Sequence, residues 1–127
     1  MNLAGTANAD DLRGTDQNDT ILGLAGNDNL DGLAGDDILE GGEGNDLLNG
    51  GAGADTLGGG SGNDRLNDEL TAGTSSQSGG AGDDTLKVTA PSAGSGIAVA
   101  ASLILNGNEG RDIIRIDALP PPRCKSA

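Results

Sequence analysis

An aliphatic residue recurs every nine positions through the first half of the chain, at Leu12, Ile21, Leu30, Leu39, Leu48, Leu57 and Leu66. The residues between successive members are mostly Gly, Asp and Asn. A nonad is too short for a helix-based repeat, and Gly-rich hexads do not sustain helices. The pattern predicts a six-residue turn followed by a three-residue strand. Side chains alternate faces along a strand, so the central aliphatic points one way and its neighbours point out. Two nonads then close one coil, with strands on opposite sides and turns at opposite edges. The two aliphatic ladders meet inside as a thin core.

Written in blocks from Gly5, the chain reads GTANADDLR, GTDQNDTIL, GLAGNDNLD, GLAGDDILE, GGEGNDLLN, GGAGADTLG and GGSGNDRLN. Gly opens every block, and Asp fills the sixth position each time: Asp10, Asp19, Asp28, Asp37, Asp46, Asp55 and Asp64. The phase then breaks. Residues 68–78 form an off-pattern block with no sixth-position Asp, and GGAGDDTLK resumes the repeat at Gly79 with Asp84. Residues 88–106 are off-pattern again. A last degenerate block, GNEGRDIIR, covers Gly107–Arg115. The expected organisation is a repeat region over 1–87, a β-rich cap over 88–118 that covers the last coil, and a Pro-rich tail over 119–127.

Composition shows that such a core needs help. The chain of 127 residues has no Phe, Trp or Tyr and 24 glycines. Apolar burial by a thin aliphatic layer is weak beside the cost of ordering the backbone, ~1–2 kcal/mol per residue, and glycine carries the largest share of that cost. The formal net charge is −13, and the excess acid is concentrated in the seven contiguous nonads. A block so acidic repels itself when compact and is a poor partner for nucleic acid. It needs bound cations or it stays disordered.

The same composition removes several functions. There is no His and one Cys, Cys124, so an intrachain disulfide, a multi-Cys zinc site and His-based acid–base catalysis are excluded. Ser61 in GGGSGND lacks both the second Gly of a nucleophile elbow and a His to act as base. Asn27, Asn29, Asp31 and Gly32 imitate part of an EF-hand loop, but Ile38 stands where its last Glu would be and the frame cuts across the nonads. The longest apolar stretch, Ile97–Leu105, is far short of the ~20 residues of a membrane span. No basic segment followed by an apolar run marks a Sec signal peptide. No enzymatic activity is expected.

The nonads resemble the RTX (repeats-in-toxin) family, whose consensus is GGxGxDxUx with U a large aliphatic. The handed-down architecture of that repeat is a calcium-binding parallel β-helix, so the resemblance implies an all-β, right-handed parallel β-roll that binds Ca2+. Calcium takes ~6–8 oxygens at ~2.3–2.6 Å, more than one hexad supplies. Two turns stacked at ~4.8 Å supply them together from Asp carboxylates and backbone carbonyls. In the family the ions sit between turns eighteen residues apart. One edge would carry Asp10, Asp28, Asp46, Asp64 and Asp84, the other Asp19, Asp37 and Asp55. Adjacent members define about six calcium ions, with Asp55 lacking a next partner. Asp112, counted as three half-turns beyond Asp84, falls on the second edge and outside the set. Gly26, Gly35, Gly42, Gly44, Gly51, Gly53, Gly60, Gly62, Gly80 and Gly82 are expected to turn with positive φ and bring carbonyls to the ions. The fifth-position Asn18, Asn27, Asn45 and Asn63 read as turn stabilisers.

The resemblance further implies a secreted, extracellular module whose folding is driven by calcium. Two alternatives stay open. One is a structural or adhesive module with a cell-surface or matrix partner, or with end-to-end self-association. The other is the C-terminal accessory part of a larger secreted toxin, protease or lipase. Family members commonly leave the cell by type I export on a C-terminal signal, and the ending Pro-Pro-Pro-Arg-Cys-Lys-Ser-Ala does not read as one.

Overall fold

A computed structural model describes residues 1–70, 73–90 and 101–118. The strands are β1 Asn2–Ala4, β2 Asp11–Arg13, β3 Thr20–Ala25, β4 Asn29–Asp31, β5 Ile38–Glu43, β6 Leu47–Gly53, β7 Thr56–Ser61, β8 Arg65–Leu70, β9 Gly73–Ala81, β10 Thr85–Ala90, β11 Ala101–Glu109 and β12 Ile113–Ala118. Odd-numbered strands form one six-stranded sheet and even-numbered strands the other, each in chain order. Every pairing between neighbours is parallel. The chain is therefore a parallel β-roll, one coil per two nonads.

The register records where the repeat is interrupted. Leu12 pairs with Leu30 and Ile21 with Leu39, eighteen residues on. The step becomes twenty at Leu57↔Gln77 and Leu66↔Leu86. It becomes twenty-eight at Leu86↔Ile114 and at Gly73↔Ala101. Both lengthenings lie between an even strand and the next odd one, at β8–β9 and β10–β11. The sheets run through unbroken, and the additions fall on one edge of the roll. Of the stretch expected as a cap, residues 88–90 and 101–118 continue the two ladders, whereas residues 91–100 lie outside the described residues, as does the tail expected at 119–127.

The eighth-position aliphatics face one another between the sheets. Ile21, Leu30, Leu39, Leu48, Leu66 and Leu86 are fully buried, Leu57 nearly so, with Leu3 and Leu12 packed against them. Gln77 takes the aliphatic position in β9 and is equally buried. Its Nε2 donates to the Lys87 carbonyl at 3.2 Å, but its Oε1 has no partner. An unpaired buried polar atom costs about 1–3 kcal/mol. Replacing Gln77 by Leu is therefore expected to stabilise the folded chain by about 1–2 kcal/mol, read as a higher urea midpoint. A lower midpoint would show that the amide is better satisfied than this geometry indicates.

Candidate metal centre

From the third nonad onward, each motif turn is held open by two residues in the left-handed region, at its second and fourth positions. The ten glycines named above have φ between 91° and 126°. At Gly44 the requirement is double: φ is 121°, and a Cβ would collide with the Gly26 carbonyl oxygen of the coil below. Leu24 and Leu33 occupy second positions with φ of 79° and 78°, at a cost of roughly 1–2 kcal/mol for an L-residue. The Leu24 side chain is exposed, so it gains little from burial in return. Leu24→Gly is expected to raise the thermal midpoint by a few degrees, the relief of about 1 kcal/mol being partly offset by glycine's looser unfolded chain. An unchanged midpoint would place the cost elsewhere.

The sixth-position aspartates stack in two columns. The backbone N–H of each donates to Oδ1 of the next one up: Asp10 to Asp28, Asp28 to Asp46 and Asp46 to Asp64 at 2.8 Å, then Asp64 to Asp84 at 2.9 Å. On the other edge Asp19 donates to Asp37 and Asp37 to Asp55, both at 2.8 Å. The first column does not stop at Asp84. The Asp84 N–H donates to Asp112 Oδ1 at 3.0 Å, so Asp112 stands on the first edge and not on the second. Counting half-turns of nine misplaces it, because the step from Asp84 is one coil lengthened at the opposite edge.

Oδ1 is thus occupied in each column, while Oδ2 differs along the chain. In the first two blocks it is satisfied locally: Asp10 Oδ2 accepts the Thr6 N–H at 2.5 Å and Thr6 Oγ1 at 3.0 Å. Asp19 Oδ2 likewise accepts the Thr15 N–H at 2.6 Å and Thr15 Oγ1 at 2.9 Å. Beyond them, Oδ2 of Asp28, Asp37, Asp46, Asp55, Asp64 and Asp84 is buried without a partner. Buried polar atoms are rarely left so, and a row of anionic oxygens is the costliest kind to leave. The first position must be glycine for the same reason. A Cβ on Gly23 would stand 2.5 Å from both Asp28 Oδ2 and the Gly41 carbonyl oxygen.

Electrostatics marks the same residues. Burial pushes the carboxyls of Asp37, Asp46 and Asp84 above the usual range, against the N–H bond each accepts. Asp64 is pushed to about 6 and Asp55 to about 8 by burial first, with neighbouring carboxylates adding to it. Asp19 moves the other way, chiefly because the N-terminal ammonium bonds its Oδ1 at 2.7 Å and the Thr15 N–H bonds it too. Its charge is already compensated.

These oxygens fit a hard cation. Among the described residues no three carboxylate or thiol groups gather into one cluster. The carboxylates are spaced one per turn, so an ion between two turns would complete its shell with backbone carbonyls. The fifth-position side chains do not share this role. Asn27 Oδ1 accepts the Asn45 N–H at 2.9 Å, Asn45 Oδ1 the Asn63 N–H at 2.8 Å, and Asn18 Oδ1 the Asp36 N–H at 2.8 Å. They tie coil to coil rather than stabilising their own turn.

The off-pattern block is a lengthened half-coil. Its eighth position is Gln77 and its sixth is Ser75, whose Oγ receives the Asp55 N–H at 3.4 Å where the motif offers a carboxylate. Asp68 occupies the opening position in place of Gly and is buried, with Oδ2 unpartnered. Sequence reasoning passed over Asp68; the signal was a carboxylate in the glycine column of the one block that lacks its sixth-position Asp.

A family model for the RTX calcium-binding nonapeptide repeat (4 copies) matches residues 4–39, 31–66 and 78–89, more than half of the chain. No curated protein and no solved structure matches it.

Proposed function

The chain belongs to the RTX calcium-binding nonapeptide repeat family, and from that premise we propose that calcium held between stacked turns drives it to fold as a secreted module. The observation that carries this reading is the row of buried Oδ2 atoms with no partner, from Asp28 to Asp84. Without cations those carboxylates oppose the compact state. With calcium they become ligands, and binding to the folded form alone stabilises it by mass action. The chain would remain largely unfolded where calcium is scarce and fold outside the cell, where it is abundant.

The ligand set comprises Asp10, Asp28, Asp46, Asp64, Asp84 and, by its place in the column, Asp112 on one edge, with Asp19, Asp37 and Asp55 on the other. The carbonyls come from the glycine-bent turns. Five intervals on the first edge and two on the second give about seven ions, one more than the nonad count alone. The lowest interval on each edge should be the weakest, since Thr6 and Thr15 already satisfy Oδ2 there. Residues 88–90 and 101–118 serve in this reading as the terminal coil that covers the apolar face of the roll beneath it. Equilibrium dialysis with a calcium count tests the proposal. About seven ions at the motif intervals are expected, the lowest on each edge held least tightly, and a chain that retains none in millimolar calcium would overturn it.

A further inference from the structure

The off-pattern block ends the regular column of the second edge, yet it buries two carboxylates together. Asp55 is fully buried and Asp68 is 5% exposed. Their carboxyl groups lie within hydrogen-bonding reach of each other, and the Ser75 hydroxyl lies beside Asp68. Oδ2 of both aspartates is buried with no donor. A Cβ on Gly50 would stand 2.7 Å from Asp55 Oδ2 and 2.8 Å from Asp68 Oδ1, so the two groups converge on the space beside that glycine. At the motif intervals the same space is shared by an Asp Oδ2 and a glycine carbonyl oxygen, as at Gly23 and Gly32.

The block has moved its carboxylate from the sixth position to the first. Where the motif pairs Gly at position one with Asp at position six, this block pairs Asp68 with Ser75. The exchange keeps an anionic oxygen facing Asp55 and leaves a hydroxyl where the next carboxylate would be. Asp68 Oδ1 is fixed by the Glu69 N–H at 2.8 Å, and Ser75 Oγ reaches the Gly53 carbonyl at 3.5 Å. Two carboxyls in one buried place, a hydroxyl beside them and Oδ2 of each without a donor, are compensated either by a shared proton or, where calcium is abundant, by a hard divalent cation.

We propose that Asp55, Asp68 and Ser75 form a further calcium site, outside the nonad motif, that extends the second edge by one ion. It rests on the reading of the roll as a calcium binder and adds a site that the repeat pattern does not contain. Asp68 and Asp55 supply the charge, and the Ser75 hydroxyl takes the neutral place. Because the site is reached through Asp55, it shares a ligand with the motif interval below it, and the two should fill cooperatively.

The test is a calcium count and calorimetric titration on the full chain, with Asp68→Asn and Ser75→Asp beside the wild type. Asp68→Asn is expected to hold one ion fewer than the wild type while the motif sites on the first edge keep their affinity. Ser75→Asp, which restores the motif carboxylate, is expected to tighten the site beside Asp55 and Asp68 on the order of tenfold. If no ion sits there, Ser75→Asp instead crowds a third buried carboxylate against two others, and the calcium-loaded variant melts lower than the wild type. An unchanged count in Asp68→Asn, or that lower melting point in Ser75→Asp, overturns this site alone. A wild-type chain that holds no calcium overturns both this site and the function on which it rests.

Discussion

Replacing Asp46 by Asn is expected to raise the calcium concentration needed for folding by about tenfold or more and, in chelator, to make the compact state easier to reach. The two effects have opposite signs for one reason. Asp46 is 3% exposed at the middle of the first column, where its Oδ1 accepts the Asp28 N–H and its own N–H goes to Asp64. Asn preserves both bonds, since its amide oxygen accepts as the carboxylate did. What changes is Oδ2, unpartnered in Asp46, which becomes a neutral donor. Burial already pushes the Asp46 carboxyl above its usual range, so removing the charge relieves the calcium-free roll. The same change removes an anionic ligand from the interval on each side. Circular dichroism against calcium and against urea in chelator measures both signs. A midpoint equal to the wild type's would show that Asp46 is a turn residue and not a ligand.

Acidification should fold the calcium-free chain. Asp37, Asp46, Asp64, Asp68 and Asp84 all have carboxyls raised by burial, Asp64 to about 6, and Asp55 lies at about 8. A carboxyl whose folded pKa exceeds its unfolded value binds more protons in the folded state. Stability is therefore fully present below the unfolded value of about 3.9 and is lost as pH rises through the folded values. In chelator, β structure should grow as pH falls from about 8 toward 4, helped by the shrinking net charge. Calcium works in reverse. Protons compete for the same oxygens, so the calcium midpoint should rise as pH falls over that window. Circular dichroism at fixed calcium and in chelator, each against pH, checks the pair. A chelated chain that loses β structure on acidification would contradict it.

Most of the fold is legible in the chain because each nonad repeats the same physical statement. Leu39 and Leu57 are both strand residues and core residues, and the glycines that follow them let the chain turn. The interruptions are harder to read. A period shows that residues were added but not at which edge, and Asp112 was misplaced for that reason alone. Asp68 was missed because its meaning depends on Ser75, seven residues away, filling the position that a carboxylate vacated. The strain at Leu24 and Leu33 is invisible in a pattern that tolerates any residue at the second position of those blocks. Column by column, the sixth-position aspartates could be aligned from spacing, and the family resemblance made them candidate ligands. Which oxygen of each was free, Oδ2 in six aspartates and neither in Asp10 or Asp19, required the stacked turns themselves.

The central claim is that calcium supplies what the thin aliphatic core lacks. Far-UV circular dichroism of the full chain through a calcium titration, with magnesium in parallel, tests it most directly. Magnesium demands tight octahedral geometry and gives up its waters reluctantly, so it should not substitute at turns built for a larger ion. A cooperative passage from coil to β signal with calcium and none with magnesium is the expected result. A full β signal already present in chelator at neutral pH would contradict the account and make the roll a scaffold that stands without metal.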